Sequence, residues 1–205
     1  MTLGRKLCEC LHVLALGLWL GVLVMAGAVA AQVFPQMKAM DPHVPEFEAY
    51  TGDHWLIVAG AVGEFTFLTA DFIQFGCVVL AILTLLASII AFGLPLARIS
   101  TMIRAGLLGI GVMLVAYEIF VLAPEMNLNL KQYWAAANDG NMAEAQRFRD
   151  AFMANHPLSR NVLAGCTLAA FASIIASVWS IAEGGPASGS GASPYQTPAL
   201  KRGLA

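Results

Sequence analysis

Residues 72–96 read FIQFGCVVLAILTLLASIIAFGLPL, a stretch without a single Asp, Glu, Lys, Arg or His. It exceeds the roughly 20 residues needed to cross a hydrocarbon core. Lipid offers backbone amides no partner, so a crossing segment of this kind must be a helix. Three further apolar runs, at about 11–33, 102–123 and 162–182, meet the same criterion. Pro35, Pro95, Pro124 and Pro157 fall at or near run ends, where a missing amide costs least. The reading is an all-α, integral membrane four-helix bundle forming one domain over 1–183.

Composition agrees with that reading. The chain is 59% hydrophobic and 12% charged, with a mean hydropathy of +0.72; soluble domains run near 45–50% and about 25%. Basic residues near run ends set orientation. Arg5 and Lys6 precede the first run, Arg98 and Arg104 lie between the second and third, and Lys201 and Arg202 end the tail. All three segments share one side, which the positive-inside rule places in the cytoplasm, with both termini there and a bacterial inner membrane as the expected location. The first run also has the three parts of a cleavable signal peptide, ending in Ala28-Val29-Ala30. Its greater length, and its His12 and Trp19, favour a retained helix.

Between the runs, Met142, Ala145, Phe148 and Phe152 recur at helical spacing, and Asn141 with Glu144 has the form of a capping pair. The spacing predicts an extra amphipathic outer helix at about 142–155 that feeds the fourth run through His156-Pro157. The segment 55–69 is apolar apart from Glu64 and reads either as an interfacial helix or as an extension of the second run. Residues 184–205 are rich in Gly, Ser, Pro and Ala and read as a disordered cytoplasmic tail.

Ionisable residues at membrane depth are functional candidates because charge there is expensive. Asp71, Glu118 and His156 fall at the ends of three different runs on the outer side, where an antiparallel bundle gathers them into an ion or proton site. Arg160 beside them is the alternative, a salt bridge that fixes packing. His12, on the first run, is either a packed neutral imidazole or a cofactor ligand. Cys8-x-Cys10-x-His12 offers thiolate and imidazole ligands for copper or zinc, although it lacks the second pair of a closed zinc site. Gly17 and Gly21, four residues apart around Trp19, have the spacing that lets helices approach closely. His43 and His54, in an acidic outer segment, match no standard ligand pattern.

No Walker loop, nucleophile elbow, HExxH or haem-attachment motif occurs, which disfavours soluble nucleotide or hydrolase chemistry and leans toward a non-enzymatic role, and the chain's few basic residues are explained by topology rather than by nucleic acid.

The first run reads His12-Val13-Leu14-Ala15-Leu16-Gly17-Leu18-Trp19-Leu20-Gly21, followed by Val33-Phe34-Pro35. The start of the fourth reads Phe152-Met153-Ala154-Asn155-His156-Pro157-Leu158-Ser159-Arg160-Asn161. These patches resemble the transmembrane protein 205-like family, a domain of unknown function in small four-helix membrane proteins. The His-x6-Trp-x-Gly part is also similar to the first helix of copper-resistance membrane proteins and of a haem-binding protoporphyrinogen oxidase. That second resemblance implies His12 as a haem or copper ligand; such a site needs a second ligand or an open position, and Met25 and Met113 are available in the sequence.

Three functions are therefore expected to compete. One is handling of a small solute or metal ion by the outer group, as in transport. Another is haem- or copper-dependent redox chemistry at His12. The third is an accessory role, with Gly17 and Gly21 facing a second copy or a partner in the lipid bilayer.

Overall fold

The computed structural model describes residues 3–183, and the tail expected at 184–205 lies outside them. The order is α1 (Leu3–Met40), a short 3-10 turn (Pro45–Phe47), α2 (His54–Ile90), α3 (Ile99–Tyr117), a π turn (Glu118–Leu122), α4 (Ala123–Asn138) and α5 (Met142–Glu183). No strand occurs among the described residues. Four helical stretches, with α3 and α4 counted as one, are long and apolar enough to span a membrane, so the chain is an integral membrane protein.

Each stretch is longer than its apolar run. At 1.5 Å per residue, the 42 residues of α5 extend about 63 Å, roughly twice a hydrocarbon core. The segment 55–69 is a continuous extension of α2. The amphipathic stretch 142–155 is not a separate helix, because α5 runs unbroken through Pro157, and Pro35 likewise lies inside α1. A single proline forfeits one backbone bond, and side-chain packing on both flanks holds the helix together across it. The expected cap is present: the Glu144 N–H donates to Asn141 Oδ1 at 3.3 Å.

Pro124 has a different effect. Its ring and missing N–H would clash with, and orphan, the Phe120 carbonyl of a regular helix. The chain instead widens into the π turn, closed by the Ala123 N–H on the Glu118 carbonyl, and continues into α4 without a break.

The helices alternate in direction. The 41–53 link and the tight turn at Gly140 lie at one end of the bundle; the 91–98 link and both described chain ends lie at the other. Gly140 has a φ of 69°, and a Cβ there would sit 3.0 Å from that of Ala49. In the 41–53 link, His54 Nδ1 accepts the Val44 N–H at 3.0 Å and His54 Nε2–H donates to the Tyr50 carbonyl at 2.8 Å. His43 stacks on that ring at 4.8 Å. Both histidines thus shape the link.

α1 packs chiefly on α2, and α5 packs on α3, α4 and α1. Leu16, Trp19 and Leu23 of α1 are fully buried in the core with Leu85, Leu108, Val115 and Cys166. A second apolar cluster, Tyr50, Ile57, Leu130, Tyr133, Ala137 and Ala145, closes the 41–53 end. Phe148 and Phe152 pack against it, which accounts for the apolar face of 142–155. α2 and α4 touch only sparsely, leaving a space between the two halves of the bundle near that end.

Candidate functional site

That space is a cavity of about 810 Å³ bounded by α1, α2, α4 and α5. Its walls are mostly carbon, including Leu23, Gly27, Leu56, Phe67, Met126 and Leu163. Drug-sized ligands occupy cavities of roughly 300–1,000 Å³ with such a lining and a few placed polar groups. Here Asp71, Glu118, His156 and Arg160 are among the polar ones, so three expected site residues and their expected packing partner line one cavity.

Each polar group has an identifiable support. The Trp19 indole N–H donates to Gln74 Oε1 at 3.3 Å, and Gln74 Nε2 donates to Asp71 Oδ1 at 2.7 Å. Asp71 and Gln74 are three residues apart on α2 and so share a face. This chain fixes one carboxylate oxygen of Asp71. Glu118 opens the π turn, and its Oε2 is buried without a hydrogen-bond partner. Asp71, Gln74, Glu118, Ser159 and Cys166 line a small recess at the cavity's inner edge. His156 leans on Phe152, with ring centroids 5.9 Å apart, and its Nδ1 is buried without a partner.

Arg160 forms no ion pair among the described residues, and neither do Asp71 and Glu118. The packing salt bridge expected of Arg160 is therefore not formed. Glu64, also on the lining, is neutralised by Lys131 at 2.8 Å. The arrangement can hold a molecule with a long apolar part and a polar end. Among the described residues no three His, Cys, Asp or Glu side chains gather closely enough to hold a metal ion.

His12 belongs to a different place, the half of the bundle nearer the 91–98 end. It is fully buried, and both ring nitrogens are engaged. Nδ1 lies 3.0 Å from the Ala81 carbonyl and 2.9 Å from Thr84 Oγ1. Nε2 accepts from Arg104 Nε at 3.2 Å, so the Nδ1–H tautomer donates toward α2 and the ring is neutral. A haem or copper ion would have to displace Arg104, and the residues present do not fit that use. Met25 and Met113, 61% and 66% exposed, face away from the core.

The Cys8-Cys10-His12 set is also divided. Cys8 is buried, its Sγ directed to the Thr84 carbonyl at 3.1 Å, whereas Cys10 is exposed on the opposite face of α1. Two positions apart on a helix is about 200° of rotation, which accounts for the division. Gly17 and Gly21 likewise point outward, with nothing within 4 Å of a Cβ at either. Trp19 packs inward, and a Cβ on Gly111 would meet its ring at 2.5 Å.

One buried group went unrecognised in the sequence. Arg104, read as a topological charge, is fully buried one turn inside α3, with Nη2 2.7 Å from Glu9 Oε2. Its signal was present in the i, i+3 spacing of Glu9 and His12, which puts an acid and an imidazole on one face of α1.

No family model, curated protein or solved structure matches this chain.

Proposed function

We propose that this is a non-enzymatic membrane protein that holds a small solute inside the bundle, with Asp71, Glu118 and His156 as the polar wall of its site. The cavity itself carries the reading: a space of about 810 Å³ with apolar walls and polar groups supplied by three separate elements. Arg5, Lys6 and Arg98, at or near the 91–98 end, support placing that end in the cytoplasm, which puts the cavity on the outer side. Arg104 drops out of that argument because it is buried. The resemblance to the transmembrane protein 205-like family is compatible with this reading and adds no ligand to it.

The test is to extract purified full-length protein with organic solvent and identify bound small molecules by mass spectrometry. A near-stoichiometric species should be present in the wild type and absent from Gly27→Phe. Gly27 lines the cavity and a Cβ there meets nothing within 4 Å, so the backbone leaves room for a larger side chain to start into the cavity. An identical extract from both proteins would sink the proposal.

A second reading, an accessory subunit or homo-oligomer, is favoured by one observation. Gly17 and Gly21 face outward beside exposed Leu14 and Leu18, a surface on which another helix can approach closely.

A further inference from the structure

The charges on the cavity wall are arranged unusually. Asp71 and Glu118 lie on one side of it and Arg160 on α5, all three line the same space, and no ion pair links them. Asp71 and Glu118 are half-buried and Arg160 is exposed at the cavity's edge; a partly buried carboxylate without a cation is the costly member of this set, and a molecule carrying both charges would pair it and the guanidinium together. Glu118 Oε2 in particular is a buried acceptor with no donor. An N–H-bearing cation satisfies it, and an anionic group on the same molecule satisfies a guanidinium, which is suited to bidentate recognition of phosphate.

The cavity also opens on a side that fits such a molecule. Its lining includes Val24, Leu68 and Leu168, which are 54%, 47% and 67% exposed. Val24 and Leu168 sit within the apolar runs, so this part of the rim faces lipid chains. Inward from it the walls are Leu23, Phe67, Met126 and Leu163, a lining that accepts an alkyl chain.

We infer that the site takes a zwitterionic aminophospholipid that enters sideways from the bilayer, its primary ammonium between Asp71 and Glu118, its phosphate on Arg160 and an acyl chain along the apolar walls. This rests on the solute-holding reading above and names the chemical class of the solute.

The test uses full-length protein in detergent and three tail-labelled probes: lysophosphatidylethanolamine, lysophosphatidylglycerol and a neutral monoacylglycerol, with binding read by fluorescence anisotropy. The ethanolamine probe should bind about tenfold tighter than the glycerol one, and Asp71→Asn with Glu118→Gln should erase that difference. Arg160→Gln should weaken both phosphate-bearing probes about tenfold and leave the monoacylglycerol unchanged. Gly27→Phe should block all three; Gly63→Phe, at another open position on the lining, serves if the first variant does not melt like the wild type. Equal wild-type affinity for the two headgroups, or a preference that survives the double substitution, overturns the lipid assignment while a block by Gly27→Phe still upholds the cavity. Absence of binding to wild type, or binding indifferent to both cavity-filling variants, overturns the assignment and the solute-holding reading together.

Discussion

Arg104 and His12 share a hydrogen bond, Nε to Nε2 at 3.2 Å, in which a guanidinium with no exposed surface holds an imidazole as a neutral acceptor. The same guanidinium neutralises Glu9. Truncating one member of a buried ion pair leaves the other charge stranded, typically at about 3–5 kcal/mol. Arg104→Met should therefore lower the melting temperature in detergent sharply, and Arg104→Met combined with Glu9→Gln should recover a large part of the loss. Equal melting of the single and double variants would show that the pair is not coupled.

Trp19 and Gly111 form a tight contact between α1 and α3. Gly111→Val should destabilise by about 1–3 kcal/mol through overpacking, and Trp19→Leu in the same chain should relieve part of it. Thermal melts of the two single variants and the double give the coupling directly. Additive effects would mean that the side chains do not meet.

Of the four cysteines only Cys10 is exposed. A membrane-permeant maleimide should modify one thiol per chain in the folded protein, and Cys10→Ser should abolish the modification. Labelling of Cys8 at a rate similar to Cys10 would contradict the orientation of α1.

Pro124 forces the π turn that presents Glu118. Pro124→Ala restores an N–H for the Phe120 carbonyl, and an α-helical register then becomes accessible across 118–124. Amide hydrogen exchange in that segment should slow, since a regular helix closes every bond. Unchanged exchange would place the cause of the π turn elsewhere than in the proline.

The four spans were legible because hydrophobic length alone decides a membrane helix, and 72–96 meets that test without ambiguity. Their ends were not. Pro157 and Pro35 look like terminators in sequence, yet packing on both flanks outweighs one lost hydrogen bond. That Asp71, Glu118 and His156 come to line one cavity follows from antiparallel topology and could be anticipated. The cavity around them could not, because it is the gap left between α2 and α4 and no single segment encodes a gap. Arg104 was misread for a related reason: a basic residue one turn inside a helix looks the same whether it reaches toward water or inward to Glu9. Cys10 was grouped with Cys8 and His12 by reading spacing without knowing which face of α1 is covered.

The excess length of the helices has a consequence for whatever occupies the bundle. Cavity-lining residues such as Leu56, Met126, Leu130 and Phe152 belong to the parts of α2, α4 and α5 that run past the apolar stretches 72–96, 102–123 and 162–182. The apolar interior therefore extends past the segments whose length and composition match a hydrocarbon core. An apolar group held near Tyr133 would be shielded by protein rather than by lipid, so the cavity walls would take over there the role that acyl chains play near Leu168.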